Sequence, residues 1–310
     1  MPFHKLAKHD IEIFHVLNPD PRDVATASEP AHLPSRPFKP DLPTLVLIHT
    51  SGSDVLHWSQ QFNDPRLAEN FNLFAVDCVF SGWTEVTPDA GKLTFEDSAN
   101  FVVEVLDKMN FTAYHLLGEA VHGSNIAAWI TVLRPEKVQS LTIAGPGYRA
   151  EDPEICGSLA EIRAALFVNK AGNGGDDSGT LPEEPLEDLC AYFVGAVRRL
   201  SSARSELRNR LQARFGTAQP VYEVESGFRL VMDREKIPDD KLAIIDVPVL
   251  ILRGGDDNIV SPEKACEEWR RALPKAKVTS HTIASAPSLV TLSDANISNR
   301  IVSSFCLRSQ

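Results

Sequence analysis

Two hydrophobic periodicities alternate along most of the chain. Short, nearly continuous apolar runs such as Thr44–His49 predict strands buried on both faces, as in a parallel sheet. Longer segments with apolar residues at helical spacing, such as Thr94–Met109, predict amphipathic helices between them. Strands and helices alternating in this way indicate βαβ units, and therefore a mostly parallel sheet with helices on both faces. The predicted strands are residues 11–16, 44–49, 71–77, 114–117, 138–144, 247–253 and 278–284, and the predicted helices between and after them are residues 94–109, 124–133, 262–273 and 295–305.

Between residues 149 and 246 the strand pattern stops and helical spacing replaces it. The acidic, Gly-rich segment Gly172–Gly179 interrupts these helices, does not match a phosphate-binding fingerprint, and is interpreted as a loop. Helices inserted between two parts of one sheet commonly form a lid. We therefore predict an α/β core built from residues 1–148 and 247–310, and a helical lid over residues 149–246. The predicted lid helices are residues 154–170, 186–200, 202–215 and 221–232.

Four segments that follow predicted strands carry the candidate chemistry. The turn Gly118-Glu-Ala-Val-His-Gly123 lies between a strand and a helix, and His49-Thr-Ser-Gly-Ser53, Asp77-Cys-Val-Phe-Ser-Gly-Trp-Thr84 and Gly254-Gly-Asp-Asp-Asn-Ile-Val260 follow three other strands. In this order and spacing the chain resembles the α/β-hydrolase superfamily, in its lidded, esterase- and epoxide-hydrolase-like branch, over roughly residues 11 to 307. The resemblance implies an α/β-hydrolase fold: a mostly parallel, eight-stranded type of sheet with helices on both faces and an inserted helical lid.

The resemblance also implies where a catalytic triad would lie. In the family a nucleophile is activated by a histidine, an acid orients that histidine, and two backbone N–H groups bind the oxyanion. The nucleophile position falls on Ala120, whose methyl group has no lone pair with which to attack a substrate. The histidine position falls near Ser288, and the last histidine of the sequence is His281, inside a predicted strand. The acid position falls on Asp257, which otherwise shapes a turn and caps the next helix.

His122 is the candidate base. It stands where the family has a glycine that allows close contact between helix and strand, so we expect an elbow that is relaxed or differently aimed. An imidazole at this place would act as a base or a hydrogen-bond donor in the pocket, or would pack between helix and sheet and bond to a carbonyl. We expect Glu119, beside the nucleophile position, to bond locally rather than to attack a substrate.

The resemblance further implies that the backbone N–H groups of Ser51 and Val121 face the pocket. Thr50 replaces the glycine that usually follows His49 in this loop. An anion- or carbonyl-binding site can therefore persist where the triad does not. His49 and Trp58, with His57, are expected on the pocket wall, with ordinary packing as the alternative for these rings.

The composition and net charge of the chain limit the classes of partner and cofactor that we expect. The 310 residues carry a net charge of -11 with a pI near 5.3, which disfavours nucleic acid as a partner. No apolar run approaches the roughly 18 residues of a membrane span, and the N-terminus lacks the apolar core of a signal peptide. The five cysteines show no C-x-x-C spacing, so we expect reduced thiols and a cytoplasmic protein. No metal-ligand spacing is present, and we expect neither a metal nor another cofactor.

Three hypotheses on function remain open at this point. In the first, the protein acts on a small, largely apolar metabolite without an acyl-enzyme, as a lyase, isomerase or cyclase. In the second, it is a serine-esterase-like hydrolase inactivated by a change from serine to alanine at position 120. In the third, the pocket of a non-catalytic, hydrolase-like protein holds a ligand. All three predict a small-molecule partner, and the sequence gives no indication of the oligomeric state.

Overall fold

The structure is a computed structural model, and it describes most of the chain. The predicted loop Gly172–Gly179 and the end of the predicted helix over residues 186–200 lie outside the described residues. The described residues are 3–6, 10–20, 22–23, 33–87, 92–150, 152–171, 183–194, 201–216, 221–257 and 260–309.

A single mixed sheet forms the centre of the described part of the chain. Its strands lie in the order β1-β2-β4-β3-β6-β7-β8-β9, and β5 pairs with β2 outside this path. The pairs from β4 through β9 are parallel, whereas β2 is antiparallel to each of its neighbours. The strands are β1 (Phe3–Lys5), β2 (Ile11–Leu17), β3 (Thr44–Ile48), β4 (Asn72–Val76), β5 (Glu85–Val86), β6 (Tyr114–Glu119), β7 (Val138–Ala144), β8 (Val249–Gly254) and β9 (Val278–Ile283).

Helices follow the parallel strands and cover both faces of the sheet. A short 3₁₀ helix over Val55–Trp58 precedes the first of the labelled helices. The helices are α1 (Ser59–Phe62), α2 (Pro65–Ala68), α3 (Phe95–Lys108), α4 (Ala120–Leu133), α5 (Pro153–Ala171), α6 (Glu183–Val194), α7 (Ser201–Gly216), α8 (Val221–Met232), α9 (Asp239–Leu242), α10 (Pro262–Ala272), α11 (Val290–Ser293) and α12 (Ala295–Leu307).

The central strand β3 shows why its sequence is apolar at every position. Successive side chains of a strand point to opposite faces of the sheet. Val46 and Ile48 accordingly join the hydrophobic cluster on the face of α3 and α4, whereas Leu45 and Leu47 join the cluster on the opposite face, with α12. Since both faces are buried, the run lacks the polar alternation of a half-exposed strand.

Five of the described helices, α5 to α9, lie between β7 and β8, within the range that the sequence assigns to a lid. Helices α6, α7 and α8 contribute to a third hydrophobic cluster, which contains Leu189 of α6, Leu211 of α7 and Val224 of α8. The same cluster contains Ala120, at the start of α4 in the core. The turn between β6 and α4 is therefore packed directly against the inserted helices.

The predicted fold class is confirmed, with differences at the element boundaries. Helix α4 begins at Ala120, four residues before the predicted start at Ser124. The short strands β1 and β5 were not predicted, because two or three residues give no usable periodicity. Within the residues that the structure describes, we find no helical stretch with the length and hydropathy that a bilayer crossing requires.

Candidate active site

The turn between β6 and α4 keeps the strained backbone of a nucleophile elbow. Ala120 has φ of 56°, in the left-handed region that L-residues other than glycine avoid. The elbow is therefore not relaxed, contrary to the expectation drawn from His122. In the family this conformation presents a nucleophile above the sheet, and here it presents a methyl group.

Two glycines on either side of Ala120 explain this backbone. A Cβ on Gly118 would lie 2.1 Å from the carbonyl oxygen of Gly123, and a Cβ on Gly123 would lie 2.2 Å from the carbonyl oxygen of Ile48. Helix α4 thus approaches β6 and β3 so closely that only glycine fits at these two points. The resemblance assigns the close contact between helix and strand to position 122. In this structure Gly123 makes that contact, so position 122 has room for the side chain of histidine.

The cavity above the elbow encloses about 90 Å³ and lies where the parallel strands end. Such an edge is the usual place for a ligand in an open α/β sheet. Thr50, Ser51, Val121, His122 and Ser288 line its floor together with Ala120. The described apolar side chains on its walls include Phe80 and, from the inserted helices α5 to α8, Ile155, Leu159, Leu189, Leu211, Val224 and Phe228.

His122 is buried in the floor and is held in one tautomer. Its Nδ1 lies 3.2 Å from the carbonyl oxygen of His49, which can only accept a hydrogen bond, so Nδ1 donates and Nε2 retains the lone pair. Its ring stacks on His49 at 6.0 Å between centroids and meets the ring of Phe95 edge-on at 5.5 Å. Burial lowers the pKa of His122 to about 4, an effect that the bond to His49 partly opposes. The imidazole is therefore neutral at physiological pH.

His49 lies beneath the floor rather than in the cavity lining. Its Nδ1 is 2.7 Å from the carbonyl oxygen of Thr50, and its Nε2 accepts from the backbone N–H of Cys78 at 3.4 Å. Both ring nitrogens are thus engaged with the backbone. His49 acts as a support for the loop after β3 and, through its carbonyl, for His122.

Asp77, at the end of β4, fixes the loop after β3 from below. Its carboxylate accepts from the backbone N–H groups of Val55 at 2.7 Å and Trp83 at 2.8 Å. Gly82 has φ of 55°, and a Cβ there would lie 2.0 Å from the carboxylate. The Asp77–Thr84 motif therefore has a structural role, because the Asp77 carboxylate holds the backbone of two loops together. The same loop places Phe80 in the cavity lining.

Ser288 lies in the cavity lining, on the loop after β9 where the resemblance places the catalytic histidine. Gly145, at the end of β7, has φ of 54°, and a Cβ there would lie 2.1 Å from the carbonyl oxygen of Ser288. The backbone of Ser288 is therefore packed against the end of β7. His281 is an exposed residue of β9 and is not part of the lining.

Asp257 lies in the loop after β8, outside the described cavity lining. Its carboxylate accepts from the backbone N–H of Val260 at 3.2 Å, the kind of turn contact that was the alternative to a catalytic role. Its loop packs on the loop after β9, because Asp256 donates its N–H to the carbonyl of Ala286 at 3.0 Å. A role for Asp257 as acid stays a prediction.

Ser51 and Val121 both line the floor, as the resemblance implies for the oxyanion site. Val121 is in the first turn of α4, whose N–H groups have no partner within the helix. The Ser51 hydroxyl is buried without a hydrogen-bond partner among the described residues. Trp58 follows the packing alternative: it is fully buried in the core cluster on the α12 face of the sheet and is not among the described lining residues.

Glu119 forms a buried network behind the elbow. Its Oε1 accepts from the backbone N–H of Thr291 at 2.8 Å, and its Oε2 accepts from His57 and from the Thr291 hydroxyl. The carboxylate is completely buried, so these bonds offset its desolvation. Glu119 bonds locally, as expected, and ties the elbow to α11, directly after the loop that carries Ser288.

Sequence reasoning missed the residues that close the cavity. Phe80 and Tyr148 line it, together with the side chains of the inserted helices named above. The spacing of apolar residues predicted those helices, but it did not indicate which of their side chains face the elbow. Among the described residues we find no group of His, Cys, Asp or Glu side chains arranged to hold a metal ion.

The sequence model of the family described as "alpha/beta hydrolase fold" matches residues 43–286 of this chain. The chain therefore belongs to the α/β-hydrolase family. A carboxylesterase, YbfK of Bacillus subtilis (strain 168), is 25% identical over 270 residues, which cover 86% of this chain and 80% of that protein. The crystal structure of the enol-lactonase from Burkholderia xenovorans LB400 has a TM-score of 0.72 at 15% identity and covers 98% of this chain and 99% of that one.

A probable 1-acylglycerol-3-phosphate O-acyltransferase of Oryza sativa subsp. japonica is 29% identical over 169 residues. The match covers 52% of this chain but only 39% of the length of that protein. This chain is therefore similar to only part of that protein.

The two elbow glycines generate a test of the close contact. Gly123→Ala should destabilise the protein by more than about 3 kcal/mol, because its Cβ would meet the carbonyl oxygen of Ile48 and the backbone cannot move aside cheaply. Gly157→Ala in α5 is the matched control: its Cβ meets nothing within 4 Å, so it should stabilise by about 0.5–1 kcal/mol. Urea unfolding curves measure both, and equal stabilities of the two variants would contradict the contact.

Proposed function

We propose that the protein binds a small, largely apolar metabolite in this cavity and transforms it by proton transfer, without forming an acyl-enzyme. The observation that carries the proposal is the state of His122. It is a neutral imidazole in the cavity floor, with Nδ1 bonded to His49 and the lone pair left on Nε2. A neutral imidazole in a water-poor pocket is suited to remove a proton from a bound ligand.

The floor also offers groups that would stabilise the charge produced by that step. The N–H groups of Ser51 and Val121 would donate to an oxygen of the ligand, as an oxyanion site does for acyl transfer. The N-terminus of α4, which carries a partial positive charge, lies at the same floor and would stabilise the same negative charge. Removal of a proton next to a carbonyl places negative charge on that oxygen, so a lyase, isomerase or cyclase reaction of a carbonyl compound fits these groups.

The low pKa of His122 makes it a weak base in the empty cavity. Negative charge that develops on the ligand oxygen favours the protonated imidazole, because an opposite charge close by raises the pKa of a histidine. The base is therefore strengthened as the proton is transferred. Asp257 lies outside the described lining, and the proposal assigns it no direct contact with the ligand.

Hydrolysis through an acyl-enzyme is not proposed, although the printed names of two relatives are carboxylesterase and enol-lactonase. Ala120 supplies no nucleophile, and Ser288 supplies no imidazole at the position of the general base. Because the residues at both the nucleophile and the histidine positions differ from the family's, we propose a reaction that does not use the serine mechanism.

One observation favours the second hypothesis, a hydrolase inactivated by a change at position 120. Ala120 keeps a left-handed φ of 56° that costs roughly 1–2 kcal/mol for an L-residue, and this geometry serves a nucleophile in the family. The strain is explained without a serine, however, since Gly118 and Gly123 impose the close contact of α4 on the sheet.

We expect His122→Ala to abolish turnover while leaving the protein folded. The assay incubates the protein with a metabolite extract of its source organism and follows bound and transformed species by mass spectrometry. His281→Ala, at an exposed position of β9, is the control and should retain the activity. A ligand that stabilises the protein but is returned unchanged by the unmodified chain would instead support the non-catalytic binder.

The pH profile separates catalysis by His122 from a structural role. Since activity needs the neutral imidazole, it is lost as pH falls through the pKa of about 4. The kcat/KM at pH 5 should therefore remain about nine tenths of its value at pH 7.5. An ordinary histidine base would lose almost all activity over this interval, and that result would contradict the buried, neutral His122.

Ala120→Ser tests the hydrolase hypothesis directly. We expect no multiple-turnover cleavage of p-nitrophenyl butyrate by this variant, because Ser288 cannot take the proton from a serine at the elbow. The double variant Ala120→Ser/Ser288→His is the comparison and should cleave the ester, since the floor retains its N–H donors. Robust hydrolysis by the single variant would overturn the proposal in favour of an inactivated esterase.

A further inference from the structure

Helix α7, one of the inserted helices, is joined to the core through the guanidinium of Arg210. Its Nη1 donates to Oδ1 of Asp54 at 2.9 Å, and its Nη2 donates to the carbonyl oxygen of Leu56 and, at 2.8 Å, to Oε1 of Glu206. The Ser59 hydroxyl donates to the same Glu206 oxygen at 3.0 Å. Arg210 and Glu206 belong to α7, whereas their three partners lie in the core, between the end of β3 and the first turn of α1.

The segment that Arg210 contacts directly follows the loop after β3. Asp54 caps the 3₁₀ helix that begins there, since its carboxylate accepts from the backbone N–H of Leu56 at 2.8 Å. From the core side, Asp77 at the end of β4 accepts from the N–H of Val55. This short segment is thus held on one side by the sheet and on the other by an inserted helix, and its position depends on both.

The part of α7 that carries Arg210 also closes one side of the cavity. Leu207 and Leu211 are buried in the third hydrophobic cluster, together with Ala120 of the elbow. Residues three and four positions apart are neighbours on a helix surface, so Leu207 lies next to both Arg210 and Leu211. Leu211 lines the cavity from α7, and Gly52 lines it from the loop after β3. Arg210 therefore joins the two parts of the chain that supply these lining residues.

The chemistry of this contact suits reversible docking. The side chains of Arg210, Asp54 and Glu206 are 11%, 21% and 28% exposed, so water reaches the edge of the cluster. If α7 separated from the core, each charged group would exchange its partner for water, and the net cost of such an exchange is small. The planar guanidinium fixes the direction of its hydrogen bonds. The contact therefore determines where α7 docks more than how strongly it is held.

We propose that Arg210 is a positioning residue that couples α7 to the loop after β3, so that these two parts of the cavity lining become ordered together. Departure of α7 leaves Asp54 without the guanidinium, and the segment is then held from the sheet side by Asp77. The inference rests on the proposed function for one consequence: the N–H of Ser51, in this loop, would be placed for the ligand oxygen only when α7 is docked. The coupling itself is independent of the reaction.

The test is hydrogen–deuterium exchange of the full chain, read by mass spectrometry of its peptides, on variants from each side of the contact. Arg210→Gln changes α7, and it should accelerate exchange about fivefold in α7 and also in residues 51–59 of the core. Asp54→Asn changes the core, retains a side-chain oxygen for the N-cap, and should accelerate exchange in α7 by a similar factor. Combining the two substitutions should add little to either, because both remove the same contact.

Arg208→Gln is the matched control on the same helix. Arg208 forms an ion pair with Glu187 of α6 at 3.1 Å, within the inserted helices. Its loss should accelerate exchange in α6 and α7, while residues 51–59 exchange as in the unmodified chain. Arg210→Lys keeps the positive charge without the planar fork, so its exchange in both segments should fall between that of the unmodified chain and that of Arg210→Gln.

Faster exchange of α7 in Arg210→Gln, with residues 51–59 unchanged, would overturn the inference, since Arg210 would then stabilise its own helix only. If this variant does not fold, Asp54→Asn decides the question, and unchanged exchange of α7 in it would equally contradict the coupling.

Failure of the proposed function gives a different result. Retained turnover by His122→Ala would remove the proton-transfer proposal and leave the reciprocal exchange between α7 and residues 51–59 standing. Loss of turnover in that variant, without reciprocal exchange in the Arg210 and Asp54 variants, would do the reverse.

Discussion

The close contact between α4 and the two strands beneath it is the constraint on which the site depends. Gly118 and Gly123 meet backbone atoms at distances that no side chain tolerates, so the chain must turn sharply between them. Ala120 therefore adopts a left-handed conformation that its own side chain does not favour. The elbow is imposed by packing, and it persists whether or not residue 120 can act as a nucleophile.

In the elbow, the side chains of Glu119 and Ala120 lie on opposite sides of the backbone. Glu119 points into the core and is bound by His57 and Thr291, which links the elbow to the loop of Ser288. Ala120 joins the third hydrophobic cluster with Leu189 and adds a methyl group to the cavity floor. The side chains at positions 120 and 288 are both small, so neither fills the space above the elbow. The reaction we propose takes place there through His122, without a covalent intermediate.

Much of this fold was predictable because parallel strands leave a strong signal in sequence. Runs such as Thr44–Ile48 are apolar throughout since both faces of the sheet are covered, and β3, β4, β7 and β9 lie within a residue or two of the prediction. The family resemblance also predicted a pocket around Ala120 and Ser288, and both residues line the cavity. The catalytic assignments drawn from the resemblance stay predictions.

The details of the site could not be predicted from the sequence, because they depend on contacts between residues of different elements. His122 suggested a relaxed elbow, but Gly123 already provided the close contact one residue later. For Trp58 the sequence left both the pocket wall and ordinary packing open, and the 3₁₀ helix at Val55–Trp58 places its ring in the core. The apolar wall of the cavity likewise depends on tertiary packing, since its described side chains come from several elements that are distant in sequence.

The central claim is that the elbow of this protein forms no covalent intermediate. Its most direct test is intact-protein mass spectrometry after incubation of the unmodified chain with a fluorophosphonate, a reagent that phosphonylates activated serines. We predict an unchanged mass, because Ala120, at the position of the nucleophile, has no nucleophilic atom. Stoichiometric addition of one phosphonyl group at Ser288 or at another residue of the cavity floor would contradict the account.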